Sequence, residues 1–434
     1  MAYGQSSIDV RSWRNGKLTR RDLMKTALAS AGAILVGAAA EEAAQAANKI
    51  TLTQWYHQYG EQGTEQAVMR YAQEYTKANP DVQVKVTWVL GDYGTKLNTA
   101  LAAGQAPDVF EYGTAPNLDL VKQGQIVPTD DFYPPDIKKD YASFDLDSLT
   151  IDGHIYGVKI VDDTGLLYYR KSMLDKAGVK PPTTMEEVIA AAKTLTKGNV
   201  KGIFLGNDGG VSAMLNILPW SAGSKFMENN QIVFNNARTV AAYEALAQLN
   251  KDGSVLTGSP TDWWDPSAFT QGLAAMQWTG LWAMPGIKKG VGDDFGVLPW
   301  PAFDAQGHPT TFLGGWAEEV SAKSKNIDAA KAYVKWLWID NAAVQKDFNL
   351  SYGFHVPPRL SLAAEAEPLK SGPALEAVNY FHQYAEITPP AWDSAMGTIL
   401  TDAVTSIVKN GSSAADQVKS AADKCDAELK RELG

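Results

Sequence analysis

The order of apolar and polar positions predicts alternating strands and helices over the first third of the chain. Residues 50–54 and 82–86 alternate as strands, and a third strand is predicted at 107–110. Between them, the apolar residues of 64–79 and of 93–103 each fall on one helical face. Strand, helix, strand, helix, strand is the order of a parallel sheet with helices on its faces.

Later segments continue this mixed pattern. Residues 151–157 alternate around an Asp-Gly pair, which is typical of a tight hairpin. Thr184 followed by Glu187 three positions later predicts the start of a helix through a capping box. The other predicted elements are a strand at 166–169, helices at 171–177 and 328–340, and two closing helices at 393–409 and 413–431.

The first strand leads into a run of rings, Trp55-Tyr56-His57-Gln58-Tyr59, just before a loop that begins at Gly60. Ligands of open α/β sheets bind beyond the carboxyl ends of the strands. Large rings at this edge are costly to leave in water unless they cover something. Side chains alternate along a strand, so only some of these rings can face a ligand.

Composition narrows the classes of partner and cofactor. The chain has 434 residues, enough for two or three domains, and its formal net charge of −10 disfavours nucleic acid and anionic membranes as partners. The single cysteine, Cys425, excludes an internal disulfide and a thiolate metal cluster. The five histidines lack the spacing of a metal site, and no phosphate-loop or dinucleotide motif occurs. We therefore expect no cofactor and no metal held by cysteine or histidine, while calcium binding stays open.

The N-terminal residues have the features of an export signal. Arg20 and Arg21 belong to a twin-arginine pattern, an apolar run of about 15 residues follows, and residues 44–46 offer a small-x-small cleavage site. The apolar run is too short to span a bilayer, which needs roughly 20 residues. We expect residues 1–46 to be a twin-arginine signal peptide that is cleaved near Ala46, and the mature protein to be periplasmic.

Six segments in order resemble the extracellular solute-binding proteins of ABC importers, in the sugar-binding, maltose-binding-protein-like family. They are the strand that ends at Trp55, YGTKLNTALAAGQAPDVF, GHIYGVKIVDDTGLLYYRKSMLDKAG, PPTTMEEVIAAA, FTQGLAAMQWTGLW and FLGGWAEEVSAKSKNIDAAKAYVKWLW. Each segment alone is a weak marker, but together they cover nearly the whole mature chain. Lys159 departs from the family pattern, which usually has proline after Tyr-Gly-Val.

The resemblance implies an α/β fold of the type II periplasmic binding protein class, with two lobes hinged by two or three crossing segments. It places the N-terminal lobe at residues 47–160 and 298–352, the C-terminal lobe at 163–296 and 355–434, and the crossovers near 160–161, 297–298 and 353–354. It further implies that a monomeric protein binds a carbohydrate between its lobes and delivers it to an inner-membrane ABC permease.

A sugar has an apolar ring face and a polar rim, so its site needs flat aromatic surfaces and planar hydrogen-bonding groups. Charged acceptors form the strongest bonds to hydroxyls, about 1.5–3 kcal/mol each, and paired glycines allow a backbone to approach a ligand closely. The resemblance also puts a ligand-binding acid at Asp163 and a stacking ring at Trp282. The candidate ligand-binding residues are Trp55, Tyr56, His57, Glu111, Asp163, Trp264, Trp282, Gly314, Gly315, Trp316 and Arg359.

Other functions stay open on the residues alone. A polyol or a polyamine is a possible ligand for the same kind of site, and Tyr168-Tyr169 resembles the tandem tyrosines that bind ferric iron in related importers. A periplasmic glycosidase is a further alternative. The acid pairs Asp293-Asp294 and Glu318-Glu319 argue against it, because neighbours on a strand point to opposite faces and cannot flank one glycosidic bond. We expect no catalytic residue.

Overall fold

The computed structural model describes residues 49–116 and 118–433, so the predicted signal peptide at residues 1–46 lies outside the described residues. The chain divides into two compact units. The described part of the smaller unit consists of residues 49–51 and 76–83, in which the amide of Ile50 donates to the carbonyl of Asp81 at 2.9 Å. The larger unit contains residues 52–75 and the chain from Val84 onward, and it holds the functional features discussed below.

The structure contains fifteen strands within the described residues. They are β1 (Ile50–His57), β2 (Val82–Val89), β3 (Val109–Glu111), β4 (Thr150–Ile151), β5 (His154–Ile155), β6 (Val158–Val161), β7 (Gly165–Tyr169), β8 (Lys201–Phe204), β9 (Met227–Glu228), β10 (Gln231–Ile232), β11 (Ala274–Gly280), β12 (Gly296–Leu298), β13 (Thr311–Phe312), β14 (Trp316–Val320) and β15 (Ala385–Glu386).

The α-helices of the same residues alternate with these strands. They are α1 (Thr64–Ala78), α2 (Tyr93–Ala102), α3 (Leu118–Lys122), α4 (Pro135–Lys138), α5 (Ser143–Ser148), α6 (Lys171–Ala177), α7 (Met185–Leu195), α8 (Val211–Met214), α9 (Ile217–Ser221), α10 (Ala237–Lys251), α11 (Ser267–Thr270), α12 (Met284–Val291), α13 (Ile327–Lys335), α14 (Ala342–Leu350), α15 (Leu360–Ala363), α16 (Gly372–Tyr384), α17 (Ser394–Asn410) and α18 (Ala414–Leu433). No helix in this part of the chain has both the length and the apolar character that a bilayer crossing requires.

A five-stranded sheet with the order β2-β1-β3-β14-β6 organises what we call the first lobe. Strands β1 and β3 are parallel, as the sequence predicts, whereas β14 runs antiparallel to both β3 and β6. Apolar side chains of α2, including Leu97 and Leu101, pack with Phe110 of β3 and with Leu120 of α3. Helix α3 is thereby part of the first lobe.

A four-stranded sheet with the order β12-β7-β11-β8 organises the second lobe. Strand β7 is antiparallel to β11 and β12, and β8 is parallel to β11. Its core includes Leu167 and Trp278 from the sheet, Met396 and Leu400 from α17, and Val418 from α18. The two closing helices therefore belong to the second lobe.

Three crossing segments meet between the lobes. The chain leaves the first sheet after β6 and enters the second at β7, and it returns to the first sheet at β14. The amide of Gly314 donates to the carbonyl of Asp163 at 2.9 Å, which joins these two segments. Asp162 and Val356 exchange two backbone hydrogen bonds of 3.0 and 2.9 Å, which adds the third segment.

We propose a different position for one lobe boundary. Leu298 pairs with Leu167 of β7, and Trp300 lies in the core of the second lobe. The chain after residue 298 thus stays with the second lobe until β13. We therefore move the proposed second crossover from 297–298 to the glycine pair at 314–315.

Candidate ligand-binding cleft

Two adjoining cavities of about 780 and 490 Å³ lie at the crossing segments. Both are lined by Asp163, Trp263, Trp282 and Trp316, so they form one continuous cleft. Trp316 begins β14 of the first sheet, and Trp282 follows β11 of the second. Residues of both lobes therefore face the same space.

Indole rings are the dominant feature of the cleft wall. The sequence has thirteen tryptophans, and six of those within the described residues line the two cavities. They are Trp220, Trp263, Trp264, Trp282, Trp316 and Trp392. Such a wall provides the flat apolar surfaces that carbohydrate rings require.

On the first lobe, the ring of Trp316 is held by His57. The two rings stack with centroids 3.8 Å apart and an angle of 20° between their planes. The carboxylate of Glu111 accepts from the backbone amide of His57 at 2.8 Å and lies 2.8 Å from its Nδ1 atom. Because Glu111 is completely buried, it positions His57 and does not itself reach the cavities.

On the second lobe, Trp282 is fixed by its own polar atom and by neighbouring rings. Its Nε1 atom donates to the backbone carbonyl of Trp264 at 2.9 Å. Trp263 meets it edge to face at 5.9 Å between ring centroids, and Phe312 lies 6.4 Å away. A ring held in this way is preorganised for stacking, because little of its freedom is lost on binding.

Three charged side chains that line the smaller cavity contact one another. The imidazole Nδ1 atom of His355 lies 2.6 Å from Asp163 Oδ1, and its Nε2 atom lies 3.3 Å from Glu61 Oε1. Burial favours the neutral imidazole and lowers the pKa of His355. The negative charges of Asp163 and Glu61, and their hydrogen bonds to the ring, outweigh this effect and raise the pKa to about 10. His355 is thus an imidazolium that holds Asp163 in place while that carboxylate lines both cavities.

The glycine pair lines the larger cavity and also lets two crossing segments touch. Gly315 has a φ of +101°, which side-chain-bearing residues rarely adopt, and a Cβ there would lie 2.0 Å from the carbonyl oxygen of Val161. A Cβ at Gly314 would meet the ring of Phe312 at 2.5 Å. The sequence predicts glycines for close approach to a ligand, and the structure shows a close approach between backbone segments.

Four of the predicted residues are not brought to the cavities, namely Glu111, described above, and Trp55, Tyr56 and Arg359. Trp55 packs against the core of the first lobe, and Tyr56 is fully buried with its hydroxyl accepting from Gln54 at 2.7 Å. Arg359 donates instead to Asp140 at 2.7 Å. Burial removes Tyr56 from the candidate list, and this ion pair occupies the guanidinium of Arg359.

Apart from its histidines, the charged side chains that line the cleft within the described residues are all acidic. Five acids line it, Glu61, Asp92, Asp147, Asp163 and Glu386, whereas no lysine or arginine is found among the described lining residues. A cleft of this kind offers strong acceptors to hydroxyl or ammonium donors. It offers little to a phosphate or another anion.

Sequence reasoning missed several lining residues. Trp220 and Trp392 belong to the second lobe, and Trp392 stacks on Phe226 with centroids 5.0 Å apart and planes 22° apart. In the sequence, His355 is one of five histidines that lack the spacing of a metal site. No local pattern marks these residues, since they reach the cleft through tertiary packing, and the total of thirteen tryptophans is the one available signal.

Comparison with known proteins identifies the family. The family described as bacterial extracellular solute-binding protein matches residues 70–377, well over half of the chain. The arabinooligosaccharide-binding protein of Bacillus subtilis is 25% identical, over 69% of this chain and 72% of its own. The sn-glycerol-3-phosphate-binding periplasmic protein of Escherichia coli is 27% identical, over 72% of this chain and 75% of its own.

Solved structures confirm the predicted two-lobe fold. The GacH receptor of Streptomyces glaucescens, solved unliganded and in complex with acarbose, superposes with a TM-score of 0.73. It is 26% identical, and the match covers 88% of this chain and 99% of that one. With the fold, the cleft and the sequence match in agreement, the chain belongs to the bacterial extracellular solute-binding proteins.

Proposed function

We propose that this protein is the substrate-binding component of an ABC importer and binds a carbohydrate in the cleft between its lobes. The observation that carries the proposal is the wall of six indoles interspersed with carboxylates. Sugar C–H faces stack on the rings, and hydroxyls donate to Asp163 and the other acids. The bound sugar is then passed to inner-membrane permease subunits.

The volume of the cleft favours a ligand of more than one sugar unit. The two cavities share four lining residues, and each has an indole that the other lacks, Trp392 in the larger and Trp264 in the smaller. Their combined space exceeds that of one sugar ring. Relatives whose names specify oligosaccharides, such as the arabinooligosaccharide-binding protein, support this part of the proposal.

A polyamine is a second candidate because the same cleft is acidic and aromatic. Ammonium groups pair with carboxylates and bind over indole faces. Salt separates the two ligand classes: binding of a polyamine weakens as ionic strength rises, whereas binding of a neutral sugar hardly changes. The lack of lysine and arginine among the described lining residues argues against a phosphorylated polyol.

The test begins with a thermal-shift screen of neutral oligosaccharides, polyols, polyamines and glycerol phosphate, since a specific ligand stabilises the fold by mass action. The Trp282→Ala variant should then bind the best ligand at least tenfold more weakly, with a nearly unchanged melting temperature. Trp336→Ala removes an indole that packs on Tyr75, outside the cleft lining, and should bind like the wild type. Equal binding by Trp282→Ala and the wild type would remove Trp282 from the site.

We propose that the protein binds without catalysis. Neither Glu318 nor Glu319 lines the cleft, since both are completely buried in the first lobe. Mass spectrometry of the bound oligosaccharide after long incubation should show it unchanged. A cleaved product would favour the glycosidase alternative.

We also propose export through the twin-arginine signal and function as a monomer in the periplasm. Replacing Arg20 and Arg21 with lysine should retain the precursor inside the cell, as fractionation would show. An unchanged distribution would indicate another export route. Light scattering of the mature protein tests the monomer.

A further inference from the structure

Three carboxylates lie together on the side of the molecule where α3 meets the closing helices. They belong to Asp119 of α3, Asp393 at the start of α17 and Glu432 near the end of α18, and one oxygen from each lies within 4.8 Å of the others. Helix α3 packs in the first lobe, whereas α17 and α18 pack in the second. The cluster therefore spans the two lobes.

Burial separates this cluster from an ordinary solvated acidic patch. Glu432 is only 7% exposed and Asp393 only 3% exposed. Within residues 49–116 and 118–433, no hydrogen-bond donor is found for either carboxylate oxygen of Glu432 or for the Oδ2 atom of Asp393. An unpartnered buried carboxylate is costly, so oxygens in this arrangement need either a cation or a shared proton.

The basic residues nearby have other partners. The ammonium of Lys122 donates to the backbone carbonyl of Glu432, and the guanidinium of Arg431 donates to Glu428. The Oδ1 atom of Asp393 accepts from the amide of Met396 at 2.6 Å and caps α17. These contacts leave the oxygens of Glu432 and the Oδ2 atom of Asp393 facing other carboxylates of the cluster instead of a basic group.

We propose that Asp119, Asp393 and Glu432 form a binding site for a hard divalent cation of the calcium type that joins the two lobes. Calcium takes oxygen ligands at about 2.3–2.6 Å, so two ligands on opposite sides of the ion lie roughly 4.6–5.2 Å apart. The three carboxylate oxygens, all within 4.8 Å of one another, are close enough to share one such ion. Water completes the coordination, which places the affinity near the 10⁻⁴–10⁻³ M range of extracellular calcium modules.

The proposed cation site is also adjacent to a residue that lines the cleft. Trp392, which lines the larger cavity, directly precedes Asp393. The amide of Leu118 donates to the carbonyl of Pro390 at 3.3 Å, so α3 also contacts this part of the second lobe through its backbone. A cation here favours the lobe arrangement in which all three carboxylates converge, whatever ligand the cleft holds.

The experiment uses the chelator-treated mature protein without sugar. Terbium, which accepts the same oxygen ligands as calcium, should luminesce by transfer from the indole of Trp392, and millimolar calcium should displace it. Calcium should also raise the melting temperature. Asp119→Asn and Glu432→Gln should each weaken terbium and calcium binding at least tenfold.

The control variant is Asp423→Asn, which removes an acid on the same helix that is paired with Lys419, and it should bind both ions like the wild type. Asp393→Asn keeps a side chain that can cap α17, and it should weaken binding of both ions if Asp119→Asn or Glu432→Gln fails to fold. The proposal is overturned if calcium binds the wild type no more tightly than it binds Glu432→Gln. It is also overturned if, at a pH above 8, Glu432→Gln melts at a higher temperature than the wild type while calcium does not change the melting temperature of the wild type. That second result indicates that the carboxylates share a proton.

Discussion

The side chain of His355 is buried and lies between Asp163 and Glu61. Its positive charge therefore acts directly on Asp163, which lines the cleft. An imidazolium at this point offsets two carboxylates that would otherwise repel each other. It also keeps Asp163 directed at the cleft. At the residue scale, the position of Asp163, which we propose as a sugar-binding acid, therefore depends on a buried histidine.

This arrangement gives stability a defined pH dependence. The pKa of His355 is raised from its ordinary value of 6.5 to about 10, so the folded state holds the proton more tightly than the unfolded chain. The stabilisation is complete below about pH 6.5 and is lost as the pH rises through about 10. Each unit of the shift corresponds to about 1.4 kcal/mol, so a loss of a few kcal/mol is expected.

Urea unfolding at pH 6, 8 and 10 checks this prediction. The free energy of unfolding of the wild type should fall more steeply above pH 7 than that of His355→Gln, which cannot carry the charge. His154→Gln is the control, because that histidine is exposed beside Asp130. Parallel pH profiles for the wild type and His355→Gln would contradict the assigned role.

At the scale of elements, the crossing segments are joined by backbone contacts that leave no room for side chains. In the Gly315→Ala variant, the methyl group lies against the carbonyl of Val161 in a backbone conformation that alanine avoids. We expect a loss of about 3 kcal/mol or more, since the strain and the clash add.

The matched control is Gly411→Ala at the end of α17. Gly411 also has a positive φ, of 67°, but a Cβ there meets nothing within 4 Å. This variant should lose only about 1 kcal/mol, the cost of the left-handed conformation. If both variants lose the same amount, the crossing segments are not packed as tightly as the structure indicates.

Locally determined elements were predictable from the sequence. The predicted hairpin is β4 and β5, with Asp152 and Gly153 at positive φ in the turn. The predicted helix at 171–177 ends at Gly178 in the left-handed conformation, and the Thr184 side chain caps α7. In each case neighbouring residues determine the conformation, so no tertiary contact has to be known.

Features that depend on distant contacts were predicted less well. The sequence pattern predicts that β1 ends at residue 54, but the strand continues to His57, because Trp55 pairs with Phe110 of β3. Alternation then turns Tyr56 into the core and His57 toward the cleft. The predicted helix at 328–340 changes to a π-helix at Trp336. Neither outcome is set by local pattern, since both arise where separate elements pack together.

At the scale of the whole molecule, the cleft divides its aromatic wall between lobes. Trp316 belongs to the sheet of the first lobe, and Trp282 is packed in the second. A ligand can favour a closed arrangement only through contacts that the open arrangement lacks. Shifting a population from 1:99 to 99:1 takes about 5.5 kcal/mol of such preference, which requires contacts on both sides.

This requirement predicts that either tryptophan alone is insufficient for closure. Small-angle X-ray scattering should show the wild type become more compact with saturating oligosaccharide. Trp316→Ala and Trp282→Ala should each fail to compact at the same sugar concentration, because the ligand then stacks on one lobe only. Trp336→Ala should compact like the wild type, as its indole packs on Tyr75. If both cleft variants still compact fully at that concentration, stacking across the cleft is not the force that draws the lobes together, and hydroxyl bonds to the acids must supply it.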